Sequence, residues 1–311
     1  MIVQFLMLGA ALSAHPFNQS AVWTPPGDFR QQVLAKCSNA GTRFGQCFVQ
    51  QMKASGASSD ARTFSGLLYN DGYMQAFRPV GVVGMAAVNY PFRANENNGL
   101  FLVNGEPPAI DVDDLRALPQ DRMKSNSAYL ELPKHSNATL WPGNRASVND
   151  LLALEFPDGS QQFVADYRVQ DGCHACAILG QAFFSFVFDK TGKFTGANFT
   201  GFTTTLTPNT ATSQRIVAVP AGKAFTVVLP SNRTTGYSWK LSFPADRKVL
   251  SSVGHHYGES AGQQMSGAGG EERWTFHAVS AGQVTLTFNY VRPWEKTPAS
   301  PQTLVLTVEV Q

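Results

Sequence analysis

The sequence predicts an α+β N-terminal domain with an antiparallel sheet, followed by an all-β immunoglobulin-like sandwich. Three observations carry that expectation. Between residues 28 and 69 apolar side chains return every three or four positions, the spacing of one helix face. After Arg215 they return every second position, as on a strand with one face in and one face out. Between the two patterns stands TPNTATSQ (207–214), which is polar, uncharged and without period. At 311 residues the chain has room for two domains of ordinary size.

Residues 2–14, IVQFLMLGAALSA, are apolar and end in small residues at Ser13 and Ala14. That is the apolar region and cleavage site of a secretory signal, though no Lys or Arg precedes it. The stretch is shorter than the roughly 20 residues that span a bilayer. The expectation is a signal over 1–14, a mature chain without a membrane span, and a secreted or periplasmic location.

The α+β domain is expected over 15–208. Its prolines at 16, 25 and 26 make the first stretch an extended lead-in. Phe44, Phe48 and Met52 form one helix stripe, and Phe64, Leu67 and Leu68 another, with Asp60 as its N-cap. Residues 79–103 read as strands, rich in Val and Leu and broken by Gly and Asn. DVDDLRAL (111–118) reads as a short helix whose acids favour the positive end of the helix dipole. Then 163–169, 177–189 and 194–202 alternate between turns at Asp171-Gly172 and Lys190-Thr191-Gly192, an antiparallel meander. Residues 209–214 are the linker, and 215–311 hold roughly seven short strands, the number of a sandwich.

Four cysteines are present. Pairing neighbours, Cys37 with Cys47 and Cys173 with Cys176, is the simplest of the three connectivities for an exported chain. Cys173 and Cys176 form a Cys-x-x-Cys pair, which can also serve as a redox dithiol. No helix N-terminus or βαβ pattern adjoins it, so a structural clip is the favoured reading. A metal site lacks further ligands; adjacent His255 and His256 would point apart on a strand, so they read as loop filler. GAGGEE lacks the last glycine of a dinucleotide loop and the βαβ unit around it. No cofactor or catalytic residue is implied. Net charge is +2 with 15% charged residues and no basic run, which argues against a nucleic-acid partner.

Consecutive antiparallel strands reverse direction. Strands at 224–229, 237–243, 248–253, 272–278 and 283–290 therefore place the loops 230–236, 254–270 and 291–300 at one end. The turns at the other end are short. The unusual residues sit on the shared end: Asn232, Arg233, Thr234, Thr235, Gly236 and Tyr237; then Gly267, Ala268, Gly269 and Gly270; then Arg292, Pro293 and Trp294. Binding residues concentrate on loops carried by a rigid scaffold.

NRTTGY, GAGG and RPW, in that order, resemble the chagasin-type inhibitors of papain-like cysteine proteases, over about 215–311. The resemblance implies a wedge of three loops that reversibly blocks the active site of such a protease, with the Thr-Thr-Gly loop over the catalytic pair. The residue types suit that role. β-Branched threonines are stiff, so a tip built from them loses little entropy on docking. Glycines leave the backbone bare, and a large aromatic such as Trp294 dominates interface energy. The family's Pro is Arg233 here, which relaxes the free loop. Trp239, Trp274 and Tyr290 have the strand phase of core residues, and Tyr237 also fits a core anchor beneath the loop. The alternative function is an exported, non-inhibitory binding or adhesion module, because a sandwich alone implies no activity. A thiol–disulfide catalyst at Cys173 and Cys176 is the third.

Overall fold

The computed structural model describes residues 16–93, 97–133, 137–143, 145–204, 212–242, 247–259, 269–295 and 302–311. The expected signal over 1–14 lies outside the described residues. No described helix is long and apolar enough to cross a membrane.

The helical spacing near the start forms α1 (Phe29–Cys37), α2 (Phe44–Ala54) and α3 (Ser59–Leu67). Phe29, Val33, Phe48, Met52 and Ala61 from these helices share a small core with Trp23 and Tyr73. The Cys37–Cys47 disulfide joins α1 to α2. Ser58, and not Asp60, caps α3: its hydroxyl accepts from the Ala61 N–H at 3.0 Å. Asp60 lies within the first turn, where a carboxylate still faces the positive end of the dipole.

Next come β1 (Tyr73–Arg78), β2 (Gly84–Asn89), β3 (Asn98–Val103) and β4 (Ala109–Asp111), an antiparallel sheet in sequence order. The helix expected over 111–118 is instead the end of β4 and one 3-10 turn, Leu115–Ala117. The Asp111 and Asp114 side chains accept from the backbone N–H of Asp113 (2.9 Å) and Arg116 (3.1 Å). Such local bonds compete with helix formation. Two short helices follow, α4 (Gln120–Lys124) and α5 (Ser127–Leu130).

The meander reads through as β7 (Gln161–Asp171), β8 (Ile178–Phe188) and β9 (Phe194–Thr203), preceded by the short β5 (Ala138–Trp141) and β6 (Leu152–Glu155). Cys173 and Cys176 are disulfide-bonded at the β7–β8 turn. The remaining strands are β10 (Thr212–Val219), β11 (Ala224–Ser231), β12 (Ser238–Ser242), β13 (Leu250–Glu259), β14 (Gly270–Ala278), β15 (Gly282–Val291) and β16 (Gln302–Val310). β10 begins at Thr212, so the segment read as linker ends inside a strand. Residues 205–211 lie outside the described residues.

One face of the sandwich is the sheet β10-β16-β15-β12. The other is β13-β14-β11, and it does not stop there. β11 also pairs with β6, matching Thr226 to Glu155, Val227 to Leu154 and Val228 to Ala153. The sheet therefore runs on through β6, β7, β8 and β9 into the N-terminal half. Both faces of β11 are buried. Phe225, Val227 and Leu229 enter the sandwich core, and Val228 enters the core of the N-terminal half. That explains an apolar residue at the polar phase of this strand. Leu152, Leu154, Val164 and Phe183 in turn belong to the sandwich core. The two halves share one sheet, and side chains from both enter the sandwich core.

Candidate functional site

Strand β13 reaches Glu259, so residues 254–259, read as loop, are paired strand; Tyr257 and Gly258 face Glu272 and Glu271 across the ladder. The loop between β13 and β14 is correspondingly shorter. Gly267 and Ala268 of its GAGG motif lie outside the described residues, as does 296–301 of the third loop.

The first loop folds on Asn232. Its side-chain oxygen accepts from the Thr234 N–H at 3.1 Å and from the Thr234 hydroxyl at 2.6 Å. The Thr235 hydroxyl donates back to the Asn232 carbonyl at 2.6 Å. These bonds close a 3-10 turn over Arg233–Thr235, and Gly236 leaves it at φ +82°, a conformation that favours glycine. Arg233, Thr234 and Thr235 are exposed.

Parity brings the other two tips to this loop. The Trp294 ring lies against Gly236: a Cβ added there would stand 2.3 Å from Trp294 Cη2. Arg292 Nε donates to the Thr235 carbonyl at 3.2 Å. Its guanidinium also covers the Tyr237 ring at 4.5 Å and pairs with Glu295 at 3.0 Å. Gly269 lies beside the first loop, a notional Cβ being 3.4 Å from the Ser231 carbonyl and 3.8 Å from Asn232 Cβ. Pro293 is exposed, and Trp294 is 68% exposed, an unusual state for so large an apolar side chain. Tyr237 stacks on Tyr290 at 5.2 Å, and the Tyr290 hydroxyl accepts from the Asn232 N–H at 2.7 Å. Tyr237 is thus an anchor under the loop. Trp239 and Trp274 are partly buried at the margin of the sandwich core. Arg233, in place of the family's Pro, lies over the Tyr257 ring at 4.4 Å. That contact ties the loop to β13 by a cation–π attraction.

Beneath the tips lies a residue that the sequence reading passed over. Glu272 is fully buried. Its carboxylate accepts from the Ser231 hydroxyl (2.8 Å) and the Trp239 N–H (3.0 Å), on either side of the first loop. His255 Nε2 is 2.8 Å away, with its ring stacked on Trp274. Glu272 shares its strand face with Trp274, Phe276 and Ala278; an acid at that inward phase was the available signal. On the other face, Glu271 accepts from Arg78 (3.0 Å) and Arg273 (3.0 Å), and Arg273 also pairs with Glu155. Burial pulls the Arg273 guanidinium down, but its bonds to Glu155 and Glu271 outweigh that and leave it raised. This ladder links β1, β6 and β14, two strands of the N-terminal half and one of the sandwich.

Residues 218–308 match the family described as Chagasin family peptidase inhibitor I42. The matched segment holds all three tips and stops short of the N-terminal half. Among solved structures, the chagasin-like segment is similar to the cysteine protease inhibitor EhICP2 from Entamoeba histolytica (TM-score 0.26, 19% identity, 30% of this chain and 84% of that one). It is also similar to Amebosin (TM-score 0.26, 25% identity, 32% and 96%) and to PbICP-C in complex with falcipain-2 (TM-score 0.26, 18% identity, 32% and 88%). No curated protein shows a significant match.

Proposed function

We propose that the chain is a reversible inhibitor of papain-like cysteine proteases that blocks the active site with three loops at one end of its C-terminal sandwich. The observation that carries this reading is the contact of the exposed Trp294 ring with Gly236, which joins two of the three tips into one protruding edge. Thr234 and Thr235 head that edge, fixed by Asn232, and the bare Gly269 flanks it. In this reading the edge occupies the protease cleft and cuts no bond. The reading includes a secreted or periplasmic setting, which two disulfides would suit.

The test is titration of papain with the full chain. Stoichiometric, reversible loss of activity is the expected result. Trp294→Ala weakens inhibition by about 2 kcal/mol, some thirtyfold. A change below twofold removes Trp294 from the site. Full papain activity at saturating protein leaves the non-inhibitory binding module as the reading.

A further inference from the structure

A groove of about 770 Å³ lies at the seam between the tips and the N-terminal half. Ser231, Asn232 and Gly269 line it on the tip side; Phe77 at the end of β1, Val82 of the β1–β2 turn and the segment Pro16 to Gln19 line it on the other. Val82 is 47% exposed, an aliphatic side chain presented at a turn apex. We propose that this turn is a fourth docking element, and that the groove receives an uncharged surface loop at the rim of the same protease cleft. The inference rests on the inhibitor reading above and extends it to the N-terminal half.

Continuity supports it first. Asn232 and Gly269 belong both to the tip edge and to the groove, so a protease seated on those tips faces Val82 across the same opening. Rigidity supports it next. Arg78, at the base of the turn, pairs with Glu271 at 3.0 Å and donates to the Val228 carbonyl at 3.3 Å. Gln161 of β7 closes the turn from beneath: its oxygen accepts from the Val83 N–H at 2.8 Å, and its amide donates to the Val80 carbonyl. β7 joins β11 through β6 in one sheet, so turn and tips are held in fixed relation. A surface set in place before binding loses little entropy on docking. Charge then limits the occupant. Arg78 and Arg273 are balanced by Glu271 and Glu155, and Phe77 and Val82 share the lining with the amides of Asn18, Asn104 and Asn149, so the groove favours a neutral segment.

Photo-crosslinking with papain and the full chain tests this. p-Benzoylphenylalanine in place of Val82 is expected to form an adduct with the enzyme, as it does in place of Trp294. In place of Val279, at the opposite end of the sandwich, it forms none. Val82→Glu is expected to weaken inhibition at least tenfold while the melting temperature stays at the parent value. An adduct from position 294 but none from 82, with Val82→Glu inhibiting as the parent does, overturns the fourth element and leaves the inhibitor reading standing. No adduct from either position and no inhibition overturns both.

Discussion

Gly236→Ala tests whether the first and third tips act as one edge. The substitution has two separable effects. Alanine at φ +82° costs about 1–2 kcal/mol, because its Cβ approaches the following carbonyl oxygen. The same Cβ would fall 2.3 Å from Trp294 Cη2 and 2.8 Å from Cζ2, so the ring must leave. Since Trp294 is 68% exposed, it swings away without opening the core. The stability loss is therefore the backbone part alone, a drop of a few degrees in melting temperature. Inhibition suffers more. Displacing the ring costs about what truncating it costs, roughly 2 kcal/mol or thirtyfold. Adding Gly236→Ala to Trp294→Ala then changes inhibition little, because the ring it would displace is gone. Inhibition constants for the parent, both single variants and the double variant complete the cycle. The expected coupling, about 2 kcal/mol, far exceeds the 0.3–0.5 kcal/mol within which independent sites add. Additive losses in the double variant would refute the contact as part of the binding edge.

Glu272→Ala leaves the Ser231 hydroxyl and the Trp239 N–H without their buried acceptor, and a loss of about 3–5 kcal/mol is expected in denaturant unfolding. A loss under 1 kcal/mol would show that Glu272 does not brace the loop. Asp111 supplies a pH test: burial raises its pKa to about 6, above the ordinary value near 4. The folded state therefore gains stability as pH falls from above 6 to below 4, by up to about 3 kcal/mol before discounting for partial exposure. Asp111→Asn, which keeps the acceptor for Asp113, is expected to stabilise the chain by about 1–2 kcal/mol at pH 7.5 and not at all below pH 4; equal melts at both pH values would exclude that penalty. Residues 212–311 alone lose the β6 pairing and the core contacts of Leu152, Leu154, Val164 and Phe183, so the fragment is expected to be less stable than the full chain by on the order of 3–5 kcal/mol. Matching denaturation midpoints would show that the sandwich stands without the N-terminal half.

The sequence carried the tips plainly because each is a short local motif and strand parity needs only a count of turns. The disulfides were equally local. What it hid is long-range. β6 is four residues; the Pro157-Asp158-Gly159 turn after it announces its hairpin with β7, but nothing in LALE announces a partner some 70 positions away. The trace it left was Val228, apolar where the strand's alternation called for a polar residue. Gly254 and Gly258 made β13 look finished at Val253, which kept His255 off the strand and away from Trp274 and Glu272. The short helix expected at 111–118 starts late because Asp111 ends β4 and bonds Asp113, while Asp114 caps only the 3-10 turn Leu115–Ala117, which Pro119 follows at once.

The arrangement of bonds explains how two different sheets keep three tips in register. The first and second loops leave β11 and β14, which are neighbours in the large sheet, so backbone pairing from Ser231–Gly270 onward aligns them. The third loop leaves β15, in the opposite sheet, where pairing of Ser238 with Val291 ties it to the strand that leaves the first loop. Side chains add to that pairing: the Tyr290 hydroxyl to Asn232, Arg292 to Thr235, and Trp294 on Gly236. The Trp239 indole adds a bond to the Pro230 carbonyl at 2.8 Å, and Glu272 takes the Trp239 N–H. Directional bonds at the tip end hold that register, because a displaced donor loses its acceptor. The β11–β14 and β12–β15 ladders, with the polar lacing beneath the edge, together bring three loops from two sheets into a single edge of defined shape.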